Sequence, residues 1–170
     1  MLDDARLESP KPGEAGFSGD TTRLIATAAT ALEAAGRYVR HEGYEVRLLG
    51  DDLDDEAQTL GRRHAALARE CSASGRRTAI LSGGETRVVL DETAGRGGRN
   101  LVYLAALALG LDGARGIYAL AADTDGIDGH GDHAGGKLTP DMLARGAARG
   151  VSLESLLAAH NTYDYFAACD

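Results

Sequence analysis

Helix-period and strand-period segments alternate along this chain, and that alternation limits the folds open to it more than any other feature. From Thr21 onward, Leu24, Ala28, Ala31, Leu32, Ala35 and Val39 recur on one face, which predicts an amphipathic helix ended by Gly43. "YEVRLL" (44–49) alternates as a strand does. The acidic "GDDLDDEA" leads into a second helix with Leu53, Ala57, Leu60, His64 and Leu67 on one face. Further strands are expected at 78–81, 86–90 and 116–122, with a largely apolar helix at 101–109 between the last two. Helices should also open at Thr139-Pro140-Asp141 and at Ser152, where a hydroxyl can cap and proline suits a first turn. The expected order α-β-α-β-β-α-β-α-α describes an α/β fold with helices packed on a mostly parallel or mixed sheet.

Length and charge narrow the function. At 170 residues the chain is long enough for one domain with a sizeable core, or one domain plus part of another. A formal net charge of −8 argues against a nucleic-acid binder, which needs a basic face. Cys71 and Cys169 stand far apart with no CxxC pattern, as reduced thiols of a cytoplasmic protein do. The N-terminal stretch has no cationic start or apolar core of a signal peptide, and no run of about 18 apolar residues offers a membrane span. Residues 1–19 hold all but one of the prolines among glycines and charges, and are expected to form a mobile tail.

Eight of the 23 glycines fall in three polar loops. They are "SGGET" (Ser82, Gly83, Gly84, Glu85, Thr86), "GRGGRN" (Gly95, Arg96, Gly97, Gly98, Arg99, Asn100) and "DTDGIDGHGD" (123–132). Loops at strand ends and helix starts are where α/β proteins hold ligands, so the three are expected to converge on one site. In the second loop, glycines free the backbone N–H groups, the following helix offers its positive end, and Arg96 and Arg99 suit bidentate contacts to phosphate or carboxylate. The alternative is a surface turn with solvated arginines. It is neither a dinucleotide fingerprint, since Asn100 stands at the third glycine, nor a phosphate loop of the GxxxxGK[ST] type. The third loop fails the calcium-binding EF-hand pattern at Ile127, Asp128 and Ala134. Its aspartates suit Mg²⁺, which needs only one or two carboxylates beside substrate phosphates, or else they bond their own backbone in a turn. His130 and His133 lack a third soft ligand for a transition metal.

Taken in order, "ILSGGET", "GRGGRN", "DTDGIDG" and "NTYDYF" resemble the signature loops of the MOFRL family, the C-terminal domain of class II glycerate 2-kinases, some formerly labelled hydroxypyruvate reductases. The resemblance implies phosphoryl transfer from ATP to the 2-hydroxyl of D-glycerate, with Mg²⁺, in a cleft between two α/β domains. By position it assigns Arg96, Arg99 and Asp125 to catalysis and Asp125 and Asp128 to the metal. Ser82, Gly83, Gly84, Glu85, Thr86, Gly95, Gly97, Gly98, Asn100, Thr124 and Gly126 fall to substrate and phosphate binding. Asp132 also matches the third loop. It further implies that residues 20–76 end a preceding kinase domain and that 77–170 are a MOFRL domain cut short before its closing glycine/threonine-rich loop. The resemblance then implies the missing N-terminal domain, as a separate chain, for a partner, and an isolated chain that is inactive. A non-catalytic anion-binding remnant is the alternative. The chain departs from the family pattern at Leu101-Val102 (Gln-Glu in the family), at Asp123 (glycine) and at His130-Gly131 (Pro-Thr), and neither Lys11 nor Lys137 matches a family lysine.

Overall fold

A computed structural model describes residues 19–21, 23–89, 95–130 and 132–169; the expected mobile tail lies almost wholly outside them. The elements are α1 (Ala28–His41), β1 (Glu45–Leu48), α2 (Ala57–Ala73), β2 (Thr78–Leu81), α3 (Arg99–Leu111), β3 (Ala119–Ala122), β4 (Gly135–Leu138), α4 (Met142–Ala148), α5 (Leu153–Ala158) and α6 (Thr162–Cys169). The α/β class holds, with the strands divided between two small sheets. β1 and β2 run parallel, pairing Glu45 with Thr78 through Leu48 with Leu81, and β3 and β4 run antiparallel.

Helix α3 is the centre of the molecule. Its alanines and leucines leave no polar face, so it is buried nearly all round, as a helix of that composition must be. Leu101, Leu104 and Leu107 are 3% exposed or less. They are joined in one core by Leu138, Met142, Leu153, Leu157, Tyr165 and Cys169 from the following elements. Burying one such leucine is worth about 1.5–3 kcal/mol. On its other side α3 crosses α2 at very short range, and glycine makes this possible. A Cβ on Gly61 would lie 2.6 Å from the carbonyl oxygen of Tyr103, and one on Gly110 would lie 2.7 Å from Ala65 Cβ.

The helix starts show which capping signals act. Thr27 caps α1 in a reciprocal arrangement with Thr30, whose N–H donates to Thr27 Oγ1 at 3.2 Å. The helix therefore begins seven residues later than the apolar spacing suggested, and Leu24 and Ile25 are exposed outside it. Glu56 caps α2 by accepting from the N–H groups of Gln58 and Thr59. Ser152 caps α5 as expected. Thr139 instead donates to Asp141 Oδ1 at 2.6 Å, and Asp141, not proline, stands at the start of α4.

Three further expectations change. No strand forms over 86–89, and Leu90 lies outside the described residues. The backbone of Arg87 is instead tied to the entrance of α2, donating to Asp55 O and accepting from Ala57 N, while Val89 is 82% exposed and, among the described residues, pairs with no strand. The glycine-rich stretch after Asp123 ends in strand β4, whose Gly136 lies against Leu101 and Leu104 of α3. The segment carrying "NTYDYF" becomes a sixth helix. β1 pairs with β2, and α2 packs closely on α3, across the expected boundary at residue 76.

Candidate functional site

The first loop leaves β2 and is pressed onto the segment before α2. Gly83 N–H donates to Gly50 O at 2.9 Å, and Leu53 N–H donates to Gly83 O at 3.1 Å. Gly84 has φ +129° and lies against the Leu53 backbone, a conformation and a space that only glycine fits. Beyond this turn Glu85 stands exposed, with its carboxylate 3.3 Å from Arg99 Nη1. Ser82 is exposed and Thr86 half-buried.

The second loop is seated on the start of α6. Arg96 N–H donates to Asn161 Oδ1 at 3.1 Å, and Tyr163 N–H returns to Arg96 O at 3.1 Å. A Cβ on Gly95 would lie 2.6 Å from Asn161 Cβ, and one on Gly97 would lie 2.5 Å from Thr162 Oγ1. The Arg96 guanidinium lies 3.9 Å above the Tyr163 ring and 3.7 Å from Asp132. His133 meets the edge of the same tyrosine at 4.9 Å between centroids. The loop's backbone freedom thus serves close packing on α6 as well as approach to any ligand.

The third loop closes the β3–β4 hairpin, with Asp123 N–H on Ala134 O and Asp128 N–H on His133 O, both at 2.7 Å. Asp125 is exposed and accepts from Ile127 N–H at 3.0 Å, the self-bonded turn that was the alternative to metal binding. Thr124, Gly126 and His130 are exposed beside it.

Where the loops meet, the chain supplies its own anions. Gly98 stands at the N-cap of α3 without a side chain to cap it. Asp128, fully buried, does that work from the third loop. Its Oδ1 accepts from Asn100 N–H at 3.1 Å and from Asn100 Nδ2 at 3.3 Å, and its Oδ2 accepts from Leu101 N–H at 3.1 Å. Asp123 takes Arg99 Nη2 at 3.2 Å and Asn100 Nδ2 at 3.0 Å. Burial alone would lower the Arg99 pKa, but the hydrogen bond and charge of Asp123, then of Glu85, hold it above its ordinary value.

The structure therefore brings Glu85, Arg99, Asn100, Asp123 and Asp128 into one chain of contacts from all three loops. Asp125 and Asp128 differ in setting: Asp125 is exposed, whereas Asp128 is fully buried with both oxygens bonded at the helix start. Among the described residues no group of three or more His, Cys, Asp and Glu side chains is placed to hold a metal ion. A groove of about 450 Å³ lies between α4 and α5, bordered by Leu143, Ala147, Val151 and Tyr165, and none of the three loops reaches it. Sequence reading missed the parts played by Asp123 and Tyr163. The signals were present, one as a carboxylate directly before "TDG" and the other inside "NTYDYF". Leu101 and Val102, where the family pattern has a polar pair, are 1% and 3% exposed and belong to the core.

An α/β unit with three glycine-rich loops drawn together around a helix start and a half-buried arginine defines the class. The model of the MOFRL family matches residues 78–170, a span holding all three loops, and the chain belongs to that family. It is 46% identical over 153 residues to an Agrobacterium vitis protein whose name provisionally makes it a hydroxypyruvate reductase, covering 87% of this chain and 40% of that one. It is 33% identical over 133 residues to a D-glycerate 2-kinase of Thermotoga maritima, covering 76% of this chain and 31% of that one. A crystal structure of a glycerate kinase from Thermotoga maritima superposes with a TM-score of 0.77 at 27% identity, over 86% of this chain and 36% of that one. The chain thus spans two fifths or less of the length of these relatives. No helix among the described residues is long and apolar enough to cross a membrane.

Proposed function

We propose that this chain is a C-terminal portion of a cytoplasmic, ATP-dependent glycerate 2-kinase, acting on the 2-hydroxyl of D-glycerate. Residues 20–76 would be the end of the preceding kinase domain and 77–170 the MOFRL domain, held together by the β1–β2 pair and the α2–α3 crossing. The remainder of the active cleft would come from the part of the relatives that this chain does not span, in the same polypeptide or as a separate chain. The observation that carries this reading is Arg99, half-buried and held from two other loops in a chain whose relatives include a D-glycerate 2-kinase.

Phosphoryl transfer depends mainly on positioning and on neutralising charge, so guanidinium groups are the fitting tools. Arg99, freed from the exposed Glu85, would face the transferred phosphate. Arg96, fixed over Tyr163, would hold a second phosphate or the glycerate carboxylate. The exposed hydroxyls of Ser82 and Thr124 and the loop amides of Gly83, Gly84, Gly97 and Gly126 complete the proposed contacts. Mg²⁺, when bound with ATP, supplies charge neutralisation between phosphates. Asp125, exposed and with one oxygen not taken by Ile127 N–H, would hold it, and one carboxylate with substrate oxygens suffices for that ion. Asp128 is left out of this set because its oxygens are occupied.

A second reading, an anion-binding module without turnover, is favoured by Asp123 and Asp128 sitting on donors that a ligand would use. Activity with D-glycerate and MgATP, measured on the full chain alone and mixed with the separately produced N-terminal part of a relative, distinguishes the two. Turnover in the mixture that is lost with Arg99→Ala supports the kinase. ATP binding without turnover supports the module, and phosphate or ATP affinity unchanged by Arg99→Ala sinks both.

A further inference from the structure

The two carboxylates on Arg99 are not equivalent. Glu85 is an outer partner, its side chain 79% exposed, whereas the Asp123 side chain is 20% exposed and Arg99 itself 34%. An exposed ion pair holds weakly and yields to an incoming ligand. Asp123 has no such freedom. Its N–H is bound to Ala134 O inside the hairpin, and its second oxygen is held by Asn100 Nδ2 at 3.0 Å.

We propose that Asp123 is a specificity-determining residue, a fixed internal carboxylate that orients Arg99 and Asn100 and makes their site a poor receiver of free phosphate. The inference rests on the assignment of Arg99 to anion binding. A phosphate that displaces Glu85 reaches Arg99 with Asp123 still on the other guanidinium nitrogen. It then gains one cation and meets a negative charge a few ångströms away, in partly desolvated surroundings that weaken both effects less than water would. Asn100, whose amide nitrogen already serves Asp123 and Asp128, has no donor left on that group to offer. The site is thereby matched to ligands that bring their own positive charge, such as a phosphate carried with a divalent cation, rather than to bare anions.

The test is titration calorimetry of inorganic phosphate into the full chain, using wild type, Asp123→Asn, Glu85→Gln and Arg99→Ala. Asp123→Asn keeps the size and an acceptor for Asn100 but removes the charge. It should tighten phosphate binding about five- to tenfold, against about twofold or less for Glu85→Gln. A residue that merely supported the fold would weaken binding when altered, so the direction of the change discriminates. If Arg99→Ala loses binding while Asp123→Asn does not tighten it, the inference fails and the anion-site reading stands. If Arg99→Ala binds as wild type does, or no variant binds phosphate, both fail. Asp123→Ser serves where Asp123→Asn does not fold, and loss of the fold in both would make Asp123 a structural residue and overturn the proposal.

Discussion

Replacing Asp128 by asparagine changes one atom of a fully buried side chain and should be among the costliest substitutions near the site. The carboxylate satisfies two backbone N–H groups at the start of α3, each at 3.1 Å, and an amide nitrogen at 3.3 Å. Asparagine has one acceptor oxygen, so one of those N–H groups would face another N–H donor. Loss of a hydrogen bond to a charged group costs about 1.5–3 kcal/mol. Loss of a negative charge at a helix N-terminus adds about 0.3–1 kcal/mol, and up to ~2 kcal/mol when the geometry is partly buried. Relief of the carboxylate's own desolvation works in the opposite direction, which places the expected net loss near ~3 kcal/mol. That is a large fraction of the ~5–15 kcal/mol typical of a whole domain. For a chain of this size it corresponds to a fall of about 6–12 °C in Tm. Urea unfolding followed by circular dichroism, without added metal, measures it directly. A variant within about 0.5 kcal/mol of wild type would refute the capping argument. A variant equal to wild type without metal, but lacking a stabilisation by Mg²⁺ that wild type shows, would return Asp128 to the metal.

Two further substitutions test the packing of α2 on α3. Gly61→Ala puts a methyl group 2.6 Å from Tyr103 O and 2.9 Å from Ala106 Cβ, so the helices must separate, at an expected cost of about 1–3 kcal/mol or more by denaturant unfolding. An unchanged midpoint would refute so close a crossing. His64, buried with Nδ1 2.9 Å from the Tyr103 hydroxyl, has its pKa lowered by burial and then by the charge of Arg63. The Tyr103 hydroxyl, pushed up to about 12 by burial, stays protonated throughout. The folded state thus prefers neutral imidazole. The contribution is whole above the ordinary value of 6.5 and is lost as pH falls from there through the lowered folded pKa. His64→Gln should flatten that limb of the stability–pH profile, and a profile unchanged by the substitution would exclude His64 as its source.

How far the molecule could be read from its sequence depended on whether a segment's partners were local. α2 and α3 were legible because apolar spacing lies within each segment, the acidic start of α2 is local too, and Ser152 caps α5 as its position suggested. Strand β4 was not, since its first two residues are glycines without side chains to show alternation, and it is a strand only because β3 pairs with it. The reverse error at 86–89 has the same origin. "TRVV" has strand-forming residues, but its backbone partners are the entrance to α2 rather than a neighbouring strand. In the site, the three loops were legible as loops, and the glycines as places of close approach. What each glycine approaches was not, because Asn161, Thr162 and Asp128 come from distant parts of the chain.

That last point changes how the cationic loop should be valued. Taken by itself, "GRGGRN" offers two guanidinium groups and a helix's positive end, enough to predict a strong attraction for any anion. In the fold each of those charges already has a carboxylate: Asp132 for Arg96, Asp123 and Glu85 for Arg99, and Asp128 for the helix. Anion binding here is therefore an exchange, and its free energy is the difference between a ligand and the carboxylate it displaces. The helix end, with a buried and triply bonded partner, is closed to exchange. The exposed pairs with Glu85 and Asp132 are weak and open to it. Affinity should accordingly be concentrated on the outward faces of Arg96 and Arg99, where the cost of entry is the loss of a solvated ion pair.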